Sequence, residues 1–243
     1  MRIALLTILT ALHFCSCSKP TDYPTTTAVI NPADTTKPKP GGAPLNYLAL
    51  GDSYTIGQSV EPALAYPNQL ATQMTQDGYA VNQPIIIART GWTTDELIEA
   101  INNSGQIGRT FDFVTLLIGV NDQYDGLSQD NYRIKFEQVI QTAITFAGGK
   151  ANHVFVLSIP DYGVTPFANG NDAQIGPAID QFNAINVEIS LKYHVNYLDI
   201  TPDSRKAAND LSLVADDGLH PSGKMYTEWV SLLKPMVETR LKK

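Results

Sequence analysis

Four short stretches carry residue types that can do chemistry together. In YLALGDSYTIGQS (47–59) an apolar run stops at Gly51, Asp52 and Ser53, and a second glycine, Gly57, follows. A serine nucleophile needs an exposed hydroxyl and nearby backbone N–H groups aimed at the developing oxyanion, which a glycine-flanked strand-to-helix turn supplies. Gly-Asp-Ser is also ordinary turn and N-cap chemistry, so the stretch alone does not decide. In ADDGLHPSGKMY (215–226), His220 lies three residues after Asp217, with Asp216 beside it. A neutral imidazole can take a serine proton if a carboxylate fixes its tautomer. Asp217, three residues before the histidine, is favoured over Asp216, four before it, as the carboxylate that curls back onto the ring.

The other two stretches offer hydrogen-bond donors. IARTGWTTDEL (87–97) sets Gly91 just before a helix start, where a bare N–H can face a ligand. LLIGVNDQYDG (116–126) ends an apolar run in Asn121, whose amide can donate to an oxyanion. Taken by itself, Gly91 reads equally well as a turn glycine. Asp122 and Asp125 add acidity without a His or Cys cluster, and no EF-hand spacing occurs, so no metal is expected. His13 falls in the leader, His153 opens a strand and His194 closes a helix, so His220 is the candidate base. No Gly-rich phosphate loop ending in Gly-Lys follows a strand.

These residues need a scaffold that brings four separated stretches to one place. After Leu45, short apolar runs at 46–51, 83–88, 111–119, 153–160 and 195–200 read as strands. They are almost continuously apolar, as strands covered on both faces are. Helix-period segments at 66–77, 94–102, 130–147, about 178–193 and about 221–241 alternate with them. Thr93 and Glu96 fit a capping box, and Gly148-Gly149 a helix stop. Alternation of this kind predicts a parallel five-stranded sheet in a three-layer α/β/α sandwich. In such folds ligands gather beyond the carboxyl ends of the strands, where all four stretches fall.

The first 44 residues obey different rules. MRIALLTILTALHFCSCSKP has Arg2 before a short apolar stretch, too short for a permanent membrane span, and residues 1–18 read as an export signal. The end of this segment resembles a loose bacterial lipoprotein box, implying lipid attachment through Cys17; ordinary cleavage after Ser18 is the alternative. The expected product is exported, as a membrane-anchored lipoprotein of the periplasm or cell surface, or else secreted or periplasmic. Both cysteines, Cys15 and Cys17, lie in the leader, so the domain holds no disulfide. The stretch 19–44 is Pro/Thr-rich and reads as a solvated linker to a domain over 45–243. A net charge of −7 without any basic run argues against nucleic acid as a partner.

Together GDSYTIG, RTGWTT, GVND and DGLHPS, in this order on alternating strands, resemble the four blocks of the GDSL, or SGNH, hydrolase superfamily. The second block departs slightly, since Arg89-Thr90 precede Gly91. The resemblance implies a flavodoxin-like sheet of order 2-1-3-4-5 and a serine esterase needing no cofactor. It implies Ser53 as nucleophile, His220 as base and acid, Asp217 as its orienting carboxylate, and an oxyanion hole from the Ser53 and Gly91 N–H groups and the Asn121 amide. Substrate contacts are expected from Tyr54, Tyr66, Trp92 and Tyr162, in and around loops 56–70 and 159–176, which mix aromatics (Phe167 among them) with amides and glycine. No long apolar insertion is present to shield a fatty chain, which favours short-acyl or lysophospholipid-like esters. A glycan O-deacetylase is the alternative, and a non-catalytic surface-binding lipoprotein an alternative of another class.

Overall fold

The strand that delivers Ser53 lies in the interior of the sheet. In the computed structural model, which describes residues 43–241, β1 (Tyr47–Gly51) is buried at every position. The expected export signal, the lipidation at Cys17 and nearly all of the linker lie outside the described residues. β1 is followed by one helical turn, α1 (Ser53–Ile56), then by α2 (Tyr66–Gln76), β2 (Ile85–Ala88), α3 (Thr94–Asn103), β3 (Phe113–Leu117), α4 (Val120–Tyr124) and α5 (Gln129–Phe146). β4 (Val154–Leu157), α6 (Asp172–Lys192), β5 (Asn196–Leu198), α7 (Thr201–Ser204) and α8 (Gly223–Leu241) complete the described chain.

The sheet is wholly parallel in the order β2-β1-β3-β4-β5. β1 registers Gly51 against Ala88 on one side and Leu117 on the other, so three strands end level and deliver their turns to one edge. α2 packs on α8, while α5 packs on both α3 and α6, giving a helical layer on each face. Strands β1, β3 and β4 are fully buried and run without polar alternation, whereas the edge strands β2 and β5 are only partly covered.

Local chemistry explains most element ends. Glu96 accepts from the Thr93 N–H at 2.8 Å and from its hydroxyl at 3.0 Å, fixing the start of α3. After α5, Gly148 and Gly149 both take positive φ, and the Gly149 N–H closes on the Ile144 carbonyl at 2.9 Å. α6 starts at Asp172, earlier than the periodicity predicts, because Pro177 does not end it. Its first turns pack on the turn formed by Tyr162–Val164, with Gly176 set against the Asp161 carboxylate, and this packing outweighs the hydrogen bond that the proline removes.

The core also corrects one expectation. Tyr66, expected to face substrate, is completely buried. Its hydroxyl shares Thr115 Oγ1 with that of Tyr47, at 3.1 and 2.8 Å, and its ring packs near Tyr226. A phenol buried with its hydroxyl satisfied is a core side chain. Its position at the start of α2 points it at the sheet rather than the strand-end edge.

Leu50 is fully buried in β1, an interior strand, one residue before Gly51. Truncating it leaves a cavity that flanking strands cannot collapse into, so Leu50→Ala should lower stability by ~2–5 kcal/mol. Urea unfolding should show this as a lower midpoint at unchanged slope.

Candidate active site

Ser53 stands at the first residue of α1, a single turn packed tightly against the end of β1. A Cβ on Gly51 would collide with Thr55 Oγ1 and with the Leu117 carbonyl, so only glycine lets the chain fold over the neighbouring strand here. Gly57 ends the turn in the left-handed conformation, its N–H returning to the Ser53 carbonyl at 3.1 Å. Asp52 caps the turn by accepting the Tyr54 N–H at 3.0 Å. Among the described residues, no backbone carbonyl takes the Ser53 N–H, which remains free at the start of the turn.

The loop after β2 closes as a turn from Arg89 to Trp92, with the Trp92 N–H on the Arg89 carbonyl at 3.3 Å. Gly91 occupies its third position at φ 84°, a conformation that disfavours side chains even though nothing lies near its missing Cβ. After β3, Asn121 sits in the first turn of α4 and donates one amide hydrogen to the Trp92 carbonyl at 2.8 Å. The amide's second hydrogen takes no part in this contact. Thus the Gly91 loop and Asn121 are held to each other. Trp92 is half-buried and takes part through its backbone.

His220 comes from a loop folded back between Val214 and Pro221, where the Ala215 N–H donates to the His220 carbonyl at 2.7 Å. Asp217 serves this loop twice. Its Oδ1 accepts the N–H groups of Leu219 (2.9 Å) and His220 (3.0 Å), and its Oδ2 lies 2.6 Å from His220 Nδ1. Asp216, the alternative partner, instead lines an open cleft beside Ser59 and Glu61. With Nδ1 turned to a carboxylate, Nε2 is the imidazole atom left to exchange protons. Partial burial pushes the Asp217 carboxyl up, but hydrogen bonds from Ser59, His220 and Leu219 outweigh it and hold Asp217 well below the usual carboxylate range.

Two contacts bring the histidine loop to the serine turn. The Tyr54 ring packs edge-on to the imidazole, with centroids 5.6 Å apart. Ser59 donates its hydroxyl to Asp217 Oδ2 at 2.6 Å, a contact across 158 positions that nothing local to either stretch signals. Tyr54 is buried, so its role is to wall the imidazole. Tyr162 lines a small cavity behind His220 of about 10 Å³, room for about one water molecule.

Tyr162 also joins an aromatic group that the sequence did not single out as a unit. Tyr124, Tyr162 and Phe167 stand 6.1 to 6.3 Å apart by ring centroid. Tyr162 donates its hydroxyl to Gln123 at 2.9 Å. Tyr124 and Phe167 are 59 % and 46 % exposed. The Phe167 N–H donates to the Gly218 carbonyl at 2.9 Å, which anchors the group beside the Asp217–His220 loop. The Asn121–Tyr124 spacing on α4 would have signalled it, had that short helix been legible.

Two further carboxyls are buried close behind. Asp52 is pushed up to about 8 by burial, with Asp122 adding to the rise, and its Oδ2 has no hydrogen-bond partner among the described residues. Asp122 is also raised by burial, although it accepts from the N–H and hydroxyl of Thr94, both at 2.9 Å. Among the described residues, no group of three or more His, Cys, Asp or Glu is disposed to hold a metal ion.

A five-stranded parallel α/β domain with a serine turn, two donor loops and an acid-paired histidine at one sheet edge is the architecture of a hydrolase. Residues 49–227 match the GDSL-like Lipase/Acylhydrolase family, and the chain belongs to it, a family of enzymes that cleave ester bonds. No curated protein matches the sequence. Among solved structures it resembles TesA at 14 % identity and a TM-score of 0.65, covering 80 % of this chain and 99 % of that one. A lipase/acylhydrolase from Enterococcus faecalis superposes at 20 % identity and 0.65, covering 82 % and 97 %. Phospholipase A1 from Streptomyces albidoflavus NA297 does so at 20 % identity and 0.59, covering 82 % and 100 %. At these identities the likeness is one of fold.

Asp52 yields a pH prediction with a definite sign. Its value rises from the ordinary 3.8 to about 8 on folding, so the native state holds an extra proton between those limits. Its contribution to stability is therefore full below pH 3.8 and is lost as pH rises towards 8. Asp52→Asn keeps an acceptor for the Tyr54 N–H and removes the titration. A plot of melting temperature against pH should lose that component of its decline; an unchanged slope would show that Asp52 does not titrate there.

Proposed function

We propose that this protein hydrolyses carboxylic esters through an acyl-enzyme on Ser53. The observation that carries the reading is the Asp217–His220 pair, hydrogen-bonded at 2.6 Å and fastened to the segment just after Ser53. His220 Nε2 takes the proton as Ser53 Oγ attacks the ester carbonyl, and the carbonyl oxygen gains negative charge. The free Ser53 N–H, the Gly91 N–H and the second Asn121 amide hydrogen are the donors for that charge. The protonated imidazole gives its proton to the departing alkoxide, releasing the alcohol. Water then enters, loses a proton to His220 and attacks the acyl carbon. Collapse of the second tetrahedral intermediate returns the proton to Ser53 and frees the acid.

Short-acyl or lysophospholipid-like esters are the substrates this reading favours. What supports this preference is that loops 56–70 and 159–176 carry no long apolar insertion to shield a fatty chain. The names of similar structures span esterase, lipase/acylhydrolase and phospholipase A1, which is consistent with ester chemistry and leaves the substrate to be found by assay.

A second reading, the O-deacetylation of a glycan, is favoured by the exposed rings of Tyr124 and Phe167. Flat aromatic faces of this kind suit the apolar face of a sugar ring.

Ser53→Ala should abolish hydrolysis of p-nitrophenyl acetate, and Asn121→Ala should lower kcat by about a hundredfold to a thousandfold. A folded wild-type protein that cleaves no ester and is not labelled at Ser53 by a fluorophosphonate would leave the non-catalytic binding reading in its place. For the second reading, the Tyr124→Ala/Phe167→Ala pair should raise KM for acetylated xylan about tenfold while sparing p-nitrophenyl acetate. Equal effects on both substrates would remove the glycan from consideration.

A further inference from the structure

Beyond the triad and its donors, one dipeptide touches both loops that must meet Ser53. Gln58 and Ser59 are the central residues of a turn closed by the Val60 N–H on the Gly57 carbonyl at 3.2 Å. Gln58 Oε1 accepts the Thr90 hydroxyl at 2.6 Å, and Thr90 immediately precedes Gly91. Ser59 Oγ donates to Asp217 Oδ2 at 2.6 Å, on the same oxygen that meets His220 Nδ1. One side chain thus holds the oxyanion loop and its neighbour holds the acid loop.

The backbone adds a second, independent sign. Ser59 adopts φ 65°, one of three non-glycine residues among those described with positive φ. The third position of such a turn favours glycine or asparagine, because a Cβ crowds the backbone in the left-handed region. Strain of this kind persists only where the surroundings demand it, so an outlier of this sort points to a role. The role on view is direction: this conformation aims the Ser59 hydroxyl at the triad carboxylate. Asp217 then has both oxygens occupied, Oδ1 by two N–H groups of its own loop and Oδ2 by Ser59 and His220. A carboxylate with every direction taken cannot rotate away from the imidazole.

We infer that Gln58 and Ser59 are positioning residues for the proposed ester hydrolysis: Ser59 locks the Asp217 carboxylate against His220, and Gln58 holds the Gly91 loop in register with Ser53. Neither touches substrate. The inference rests on the proposed roles of Ser53, Gly91, His220 and Asp217, and it assigns to the turn after α1 the job of assembling the other loops.

Ser59→Gly tests the first arm, since glycine adopts the left-handed backbone without strain and removes the hydroxymethyl group that reaches Asp217. It should fold as well as wild type by melting temperature, lower kcat about tenfold to a hundredfold and leave KM unchanged. Ser59→Asn, which tolerates the same φ and carries an amide donor, should bring kcat back to within about threefold of wild type. Gln58→Met tests the second arm: it removes the acceptor for Thr90 at similar length. It should lower kcat and weaken inhibition by a trifluoromethyl ketone, whose adduct needs the oxyanion donors. Ser53→Ala, measured alongside, separates the two levels. If Ser53→Ala is inactive while Ser59→Gly and Gln58→Met keep kcat within about twofold of wild type, the positioning role is overturned and the esterase reading stands. If Ser53→Ala is as active as wild type, the esterase reading fails and the positioning role with it.

Discussion

The structure depends on the close approach of β1 to β3 at Gly51. There the chain turns over the end of its neighbour with no room for a side chain between Thr55 and the Leu117 carbonyl. Parallel pairing in register makes β2, β1 and β3 end level, so the turn after each strand emerges at the same edge. Ser53, Gly91 and Asn121 are each within four residues of a strand end. A fold that stacks strands in this way gathers separated residues without any of them being near in sequence. The histidine loop is the exception. It arrives from beyond β5 and must be tied down by side chains, which is why Asp217 carries so many hydrogen bonds.

Burial explains the electrostatic character of the same edge. Asp52 and Asp122 lie behind the serine turn and the Asn121 turn, shielded from water, and both carboxyls are raised. Asp217, three-tenths exposed and met by several donors, is held low. Carboxyls at one sheet edge are thus shifted in opposite directions by their environments, two upward by burial and one downward by its hydrogen bonds. The one shifted downward is the one in contact with the imidazole.

Much of this was legible in the sequence because it is written locally. Buried parallel strands are apolar throughout, so five were visible, and each observed strand lies inside its expected run. The three-residue gap from Asp217 to His220 fits the observed pairing for the same reason. The features that stayed hidden were written over distance or in very short segments. Ser59 reaches Asp217 across most of the domain, and no local pattern marks it. The turns of α1 and α4 are too short to show periodicity, which concealed Tyr124 and its ring cluster. Tyr66 misled because an aromatic residue beside a loop has the same type whether it faces solvent or the sheet. α6 begins before its expected start because its first turns, Pro177 included, are held by packing against Tyr162–Val164.

The hydrogen bond from Asn121 to the Trp92 carbonyl has a consequence for recognition. A carboxamide free to rotate presents its oxygen as readily as its nitrogen, and an incoming carbonyl would meet repulsion half the time. With one hydrogen already committed to the peptide of the neighbouring loop, the nitrogen end is fixed towards that side and the oxygen is turned away. In the proposed mechanism the amide then needs no reorientation when charge develops beside it, because its direction is set when the chain folds.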